Sequence, residues 1–198
     1  MNFAVLASGN GSNLQAIINA IKKKKINANL KLVVSDKADA TALVRAQKAK
    51  IATCTINPKN FDTREDFDRK ILEHFKEFPI DFVVLAGYMR LLSPYFIQQY
   101  FHKIINIHPA LLPSFKGTHG IREAFAYGVK VTGVTVHVVT EDMDAGPILA
   151  QEAVKITTKD TLESLTEKIH RVEHRLYPRV IDWFAKSLSR RQIGPGRL

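Results

Sequence analysis

The sequence predicts an α/β fold: a parallel sheet wound with helical crossovers, extended by antiparallel strands in the C-terminal half and closed by a long C-terminal helix. Three observations predict it. From Phe3 to Ile107, strand-length apolar runs alternate with segments of helical period, the order that strand–helix–strand units require. From Val131 to Thr140 the pattern becomes strict alternation, Val134, Val136 and Val138 against Thr135, His137 and Val139, and a second extended stretch, Ile148 to Ile156, follows closely. Finally, about Asp160 to Leu188 keeps an amphipathic helical period.

Phe3 to Ala7 is the first strand; after a Gly-Ser-Asn turn, Leu14, Ile17, Ile18 and Ile21 share one face of a first helix. Leu30 to Val34 reads as the second strand, Ala40 to Ala49 as a helix and Ala52 to Ile56 as the third strand. Thr63 to Phe78 carries Phe67, Ile71, Leu72 and Phe75 at helical spacing. Phe82 to Ala86 is a continuous apolar run, the pattern of a strand covered on both faces. Pro94 suits the first turn of a short helix reaching Tyr100, and Lys103 to Ile107 is the next strand. Pro178 should kink or break the last helix. No repeat or linker interrupts this order, so the chain reads as a single Rossmann-like domain over 1–188 with a basic tail, 189–198.

Composition narrows the function classes. Twenty-nine Lys and Arg against 19 Asp and Glu give a net charge of +10, which favours anionic partners. Much of the excess is local: Lys22 to Lys25 end the first helix, where cations suit the negative end of the dipole, and the tail carries Arg190, Arg191 and Arg197. A nucleic-acid binder would interleave basic residues with exposed aromatics, but the 11 Phe and 5 Tyr fall mostly at core-period positions, so no nucleic-acid partner is expected. Cys54 has no second cysteine to pair with and reads as a small buried hydrophobe. No apolar run nears the roughly 20 residues of a membrane helix, and the start MNFAVLASGNGSNLQ has no basic leader, so no membrane partner and a cytoplasmic location are expected. The histidines lack paired ligand spacing, so no metal site is expected.

Gly9 and Gly11 lie between the first strand and the first helix, where backbone amides and the positive helix end can hold an anion. Leu14 stands where a dinucleotide fingerprint needs a third Gly or Ala, and no Lys-Ser or Lys-Thr pair makes a nucleoside-triphosphate loop. Ser8 to Asn13 is therefore sized for a single phosphate, although Ser12 with Gln15 is also a capping box. Further on, a strand ends at Asn106-Ile107-His108-Pro109, with Asn106 and His108 on one side of an extended chain. An amide and an imidazole aimed at one carbonyl are what acyl transfer needs, an oxyanion donor and a group that handles a proton near neutral pH. A carboxylate beside His108 would favour the imidazolium, and Asp144 is the candidate, with Glu141 and Asp142 equally eligible by chemistry.

Four segments together resemble one family: Ser8 to Ile17, Val84-Leu85-Ala86-Gly87-Tyr88-Met89-Arg90, Asn106 to Pro113, and Asp144-Ala145-Gly146-Pro147-Ile148. Asn-x-His-Pro-x-Leu-Leu-Pro with the later Asp is similar to the folate-dependent formyltransferase superfamily. The Gly-Asn-Gly-Ser-Asn loop narrows the likeness to the glycinamide ribonucleotide branch and its near relative, formyltetrahydrofolate deformylase. The resemblance implies formyl transfer from 10-formyltetrahydrofolate, as cosubstrate, to the amine of glycinamide ribonucleotide in purine biosynthesis, by direct attack and without Cys54. It implies that Asn106 donates to the formyl oxygen, His108 stabilises the oxyanion, and Asp144 tunes His108 and helps order water.

By the same resemblance Gly11, Ser12 and Asn13 bind the substrate phosphate, and His170, Arg171, Val172 and Glu173 meet its ribose or glycinamide end. Arg64, Met89, Arg90, Leu91, Leu92 and Asn106 contact folate, and Thr140, Glu141, Asp142, Met143 and Asp144 form the folate loop. Residues 1–100 are then the phosphoribosyl half and 101–188 the catalytic and folate half, in a monomer or weak homodimer. His119 could touch substrate, but Ile121 stands where relatives often carry another His. His137 alternates with valines and reads as structural or solvated. A deformylase would use the same Asn, His and Asp with water as nucleophile; its extra regulatory domain is not expected in a chain that opens on the first strand. The third reading is an anion- or nucleic-acid-binding domain without catalysis.

Overall fold

Seven strands form one sheet in the order β3-β2-β1-β4-β5-β6-β7, in a computed structural model that describes residues 1–190. In chain order the elements are β1 (Asn2–Leu6), α1 (Ser12–Lys22), β2 (Asn29–Ser35), α2 (Thr41–Lys48), β3 (Ala52–Thr55), α3 (Arg64–Lys76) and β4 (Phe82–Leu85). They continue with α4 (Pro94–Gln99), β5 (Ile104–His108), α5 (Gly120–Tyr127), β6 (Val131–Val138), β7 (Ile148–Lys155) and α6 (Leu162–Ser189). β1 to β5 pair parallel, whereas β6 pairs antiparallel with both β5 and β7. The α/β class, the antiparallel extension and the long last helix therefore agree with the sequence reading.

Alternate strand residues feed two cores, because successive side chains leave a strand on opposite faces. Phe3, Val5, Phe82, Val84 and Ile105 pack with Leu14 and Ile17 of α1 and with Tyr177, Ile181 and Phe184 of α6. Ala4, Leu6, Val83, Leu85 and Ile104 pack on the other face with Phe67 and Ile71 of α3 and Phe96 of α4. Each inner strand is thus covered twice, which explains its uninterrupted apolar run. Tyr177, fully buried, donates from its hydroxyl to the carbonyls of Leu85 (2.8 Å) and Ile105 (3.1 Å), tying α6 to the ends of β4 and β5.

Three expectations need correction. Pro178 neither ends nor splits α6, which runs unbroken to Ser189. A proline there forfeits one backbone hydrogen bond at a cost of about 3 kcal/mol, and burial of Leu176, Tyr177, Val180 and Ile181 on either side of it outweighs that loss. The helix starts at Leu162 because Thr161 and Ser164 form a reciprocal capping box. Helix α5 is absent from the sequence reading: of its eight residues only Gly120 and Ala124 are fully buried, with Ile121 and Phe125 partly buried against the core, a stripe of just two turns. Cys54 is half-buried rather than buried, on the edge strand β3, where burial and the nearby Glu77 charge push its thiol up and keep it protonated. Arg191 and Arg197 of the basic tail lie outside the described residues. Among the described residues no helix is long and apolar enough to cross a membrane.

Candidate active site

Strand order reverses between β1, whose chain continues to β2, and β4, which continues to β5; the C-terminal ends of these strands open the crevice in which α/β sheets hold ligands. The loop after β1 lies at this point. Gly11 has φ 73°, and a Cβ on it would come within 2.7 Å of the Ala42 backbone, so glycine is required twice over. Arg45 pins the loop from α2, donating from Nε to the Asn10 carbonyl (2.8 Å) and from Nη2 to Asn10 Oδ1 (3.1 Å). The capping box expected of Ser12 and Gln15 does not form: Gly11 is the N-cap, no side chain caps α1, and Gln15 engages Asn19 and Arg45 instead. Ser8 is buried with its hydroxyl accepting from the Met89 amide (2.9 Å), so it docks the loop after β4 rather than facing an anion. The open part of the cradle is Gly9 to Ser12.

Asn106 and His108 project from the end of β5 into one cavity of about 400 Å³. His108 is 3% exposed. Its Nε2 stands 2.7 Å from the Phe115 carbonyl, which can only accept, and its Nδ1 faces Asp144 Oδ2 at 3.4 Å. With acceptors on both sides, the ring that satisfies both carries hydrogen on both nitrogens. Asp144 has a left-handed backbone (φ 51°) and accepts from the Gly117 amide at 2.8 Å. Burial works against its charge, but the His137 ring, the Gly117 amide and the two imidazoles together hold its carboxyl below the usual aspartate value. Of the three eligible carboxylates in that turn, Glu141 and Asp142 are exposed and Asp144 alone reaches the histidine.

His137, read from sequence as structural or solvated, belongs to this cluster. β6 pairs with β5 so that His137 lies directly opposite Asn106. Its Nδ1 donates to the Val138 carbonyl (3.0 Å), leaving Nε2 at 3.2 Å from Asn106 Nδ2 and 3.5 Å from Asp144 Oδ1. Nε2 can serve only one of these at a time: a neutral ring accepts from Asn106, and a protonated ring donates to Asp144. Asn106 turns the Nδ2 end of its amide toward the His137 ring. The only sequence signal was a polar residue at a core-facing position of an alternating strand.

The same cavity is lined by Met89, Arg90, Leu91 and Leu92 from the β4–α4 loop and by Thr140, Glu141, Asp142 and Met143 from the β6–β7 loop. Met89, Leu91 and Met143 are exposed apolar side chains at its mouth, the kind of surface that marks a binding site rather than a fold requirement. Arg90 stacks its guanidinium 5.0 Å from the Phe67 ring, and Asp68 of α3 accepts from the Ser93 amide (2.5 Å), so the loop is docked on α3. Arg64 is exposed in the first turn of α3 and does not line the cavity. His119 is exposed at the N-cap of α5, while its neighbours Gly117 and Thr118 line the cavity.

Glu173 of α6 is buried, and its Oε2 accepts from Asn13 Nδ2 at 3.2 Å, bringing the last helix to the start of α1 beside the Gly9–Gly11 loop. Burial pushes its carboxyl up to about 7, with the Asn13 bond working the other way. Asn13 Oδ1 is itself buried without a partner. Val172 is a core residue, and His170 and Arg171 are exposed, one turn before His174 and Arg175 of the same helix. Among the described residues no group of three or more His, Cys, Asp or Glu is arranged to hold a metal ion.

The family model described as formyl transferase matches residues 1–181. A phosphoribosylglycinamide formyltransferase of Escherichia coli (strain K12) is 46% identical over 185 residues, 93% of this chain and 87% of that protein. The trifunctional purine biosynthetic protein adenosine-3 of Homo sapiens is 46% identical over 182 residues, 92% of this chain but 18% of that protein. The crystal structure of a phosphoribosylglycinamide formyltransferase from Bacillus halodurans superimposes with a TM-score of 0.92 at 45% identity, covering 95% of this chain and 97% of that one.

Proposed function

The chain belongs to the formyl transferase family, and from that premise we propose that it transfers the formyl group of 10-formyltetrahydrofolate to the amine of glycinamide ribonucleotide. The products are formylglycinamide ribonucleotide and tetrahydrofolate, within de novo purine biosynthesis. The observation that carries this reading is the convergence of Asn106, His108 and Asp144 on one cavity at the strand ends, close to a loop suited to a single phosphate.

The cavity walls fit a flat heterocycle: Leu92, Ile97, Ile107 and Val139 are apolar, and polar groups gather at one end. Arg64, Met89 to Leu92 and Thr140 to Asp144 are the residues we assign to folate, Arg64 from outside the cavity as described. When bound, the folate supplies the electrophilic formyl carbon that the amine attacks directly. Asn106 Nδ2 carries two hydrogens, one for His137 and one free for the formyl oxygen. The positive charge of a doubly protonated His108 opposes the negative charge that grows on that oxygen, in a site dry enough for the interaction to count. Asp144 keeps its charge near neutral pH, balances the imidazolium and helps order the water through which the proton lost by the attacking amine reaches the departing folate nitrogen. Gly11, Ser12 and Asn13 bind the substrate phosphate through loop amides and the end of α1, and Glu173, with His170, Arg171 and Val172 on the same helix segment, meets the ribose or glycinamide end.

Residues 1–100 supply the phosphate loop and the Met89 to Leu92 wall of the folate cavity, and 101–188 supply the catalytic cluster, the folate loop and Glu173. The partners are the two small substrates, with no nucleic acid and no membrane, for a cytoplasmic monomer or weak homodimer. The test is a spectroscopic assay of the purified chain with 10-formyltetrahydrofolate, with and without glycinamide ribonucleotide, alongside His108→Ala. Folate product that needs the ribonucleotide and is lost in the variant is the expected result. Product formed equally without acceptor makes water the nucleophile and the enzyme a deformylase.

A further inference from the structure

We propose that the groove between α1 and α6, which runs on from Ser12 of the single-phosphate loop to Lys23, is an extended anion site that takes a chain of linked phosphates. The groove encloses about 510 Å³. Five cations line it, Lys23 and Lys25 from the end of α1, Arg45 from α2, and Arg175 and Arg179 from α6, and no Asp or Glu does. Two of the five are engaged: Arg45 holds Asn10 of the loop, and Arg175 pairs with Glu152. Lys23, Lys25 and Arg179 have no ion-pair partner among the described residues.

The arrangement departs from an ordinary basic surface. Another cavity of comparable size, under α3, is lined by Arg69, Lys76 and Lys103 but also by Glu73 and Asp81, so its charges offset one another. In the α1–α6 groove, Arg175 and Arg179 stand one turn apart, and the packing of α6 on α1 brings them to the same groove as Lys23. Like charges so placed repel, and a bound polyanion relieves the repulsion. The wall also carries His174, whose Nε2 is buried without a partner. Lysines that the sequence explains as helix-dipole partners thereby acquire facing arginines from a helix about 150 residues later in the chain.

The size of the ligand follows from charge and length. Three free cations exceed what one phosphate dianion neutralises. From Ser12 to Lys23 the groove follows α1 for about 16 Å, at about 1.5 Å per residue. A polyphosphate chain, free or carried by a nucleoside, meets both demands.

Calorimetric titration of the full chain at low salt with sodium tripolyphosphate, and separately with ATP, tests the site. One-site binding is expected, weakened about tenfold or more in Lys23→Ala/Arg179→Ala as two charge-assisted contacts are lost. It should be unchanged in Lys76→Ala/Lys103→Ala, which removes equal charge from the mixed cavity under α3. All four residues lie away from the catalytic cluster, so formyl transfer at saturating substrate should persist in both variants. Equal affinity for the two probes assigns the site to the phosphate chain alone, and tighter ATP binding assigns it to a nucleoside polyphosphate. Equal weakening in both variants reduces the effect to net charge, and unchanged binding in the first variant moves the anion to loop 8–13. Either result, or no saturable binding of either probe, overturns the proposal.

Discussion

Glu173→Gln should stabilise the protein, and by more in alkali than in acid. The carboxyl is 5% exposed, and its one described hydrogen bond comes from Asn13. Burial raises its pKa from 4.5 to about 7. A carboxyl raised in the folded state contributes no penalty below its unfolded value, because both states then carry the proton. As pH climbs from 4.5 to about 7 the unfolded chain ionises first, so stability falls through that window and levels off above it. The full difference corresponds to about 3 kcal/mol at about 1.4 kcal/mol per tenfold, a large share of a typical domain's margin. Gln keeps the shape and never ionises, so its advantage should be about 1 kcal/mol at pH 5 and about 3 kcal/mol at pH 9. Urea unfolding of both proteins at the two pH values measures this directly. A difference that does not change with pH would refute the reasoning, and one that grows toward acid would reverse it. In the proposed chemistry Glu173 also meets the ribose end of the acceptor. The stabilised variant should therefore show a raised KM for glycinamide ribonucleotide, so that stability and binding move in opposite directions.

Asp144→Asn removes the charge facing both His108 Nδ1 and His137 Nε2, and kcat should fall by a factor on the order of 100 or more. Because its carboxyl is held below the ordinary value, Asp144 stabilises the fold above about pH 4 and loses that effect as pH falls through its folded value. The stability gap between wild type and Asn should thus close in acid, as urea titrations at several pH values will record. Thr135→Val strips a buried hydroxyl that donates to the Ala110 carbonyl (2.7 Å) and accepts from the Leu112 amide (3.0 Å), leaving both unpaired beside His108. A loss of about 2–3 kcal/mol is expected by denaturation, and no loss would mean that water replaces the hydroxyl. Gly146→Ala places a Cβ 1.9 Å from the Val138 carbonyl oxygen, a backbone atom that cannot swing aside. It should cost about 1–3 kcal/mol and displace the 140–146 loop, with a higher KM for the folate donor; unaltered stability and KM would show that the loop shifts freely.

Much of the fold is legible along the chain because its signals are local. A parallel strand covered on both faces must be apolar throughout, as Phe82 to Leu85 is, and α1 must carry a stripe at Leu14, Ile17 and Ile18 to close one core. Helix α5 escapes notice because it is two turns long and only partly buries its two large apolar residues, Ile121 and Phe125. At the site, Asn106 and His108 are readable as a pair because a period of two puts them on one face, and Gly11 because a left-handed turn pressed against Ala42 admits nothing larger.

What lies in the residue order is therefore most of the elements, the glycine-bearing loop after β1 and the amide–imidazole pair at a strand end. Which groups complete that pair is decided only when the chain closes. Antiparallel register sets His137 opposite Asn106, and a left-handed backbone at Asp144, rather than any difference in chemistry from Glu141 or Asp142, brings that carboxylate to His108. Glu173 reads as an ordinary helix charge until α6 lies along α1 and buries it against Asn13, 160 residues away, where loss of water changes its acidity. Pro178 and the Lys23–Arg179 groove follow the same rule. Propensity and helix dipole act over a turn or two, whereas desolvation and charge convergence depend on what packs across the space between elements, and only the tertiary structure supplies that.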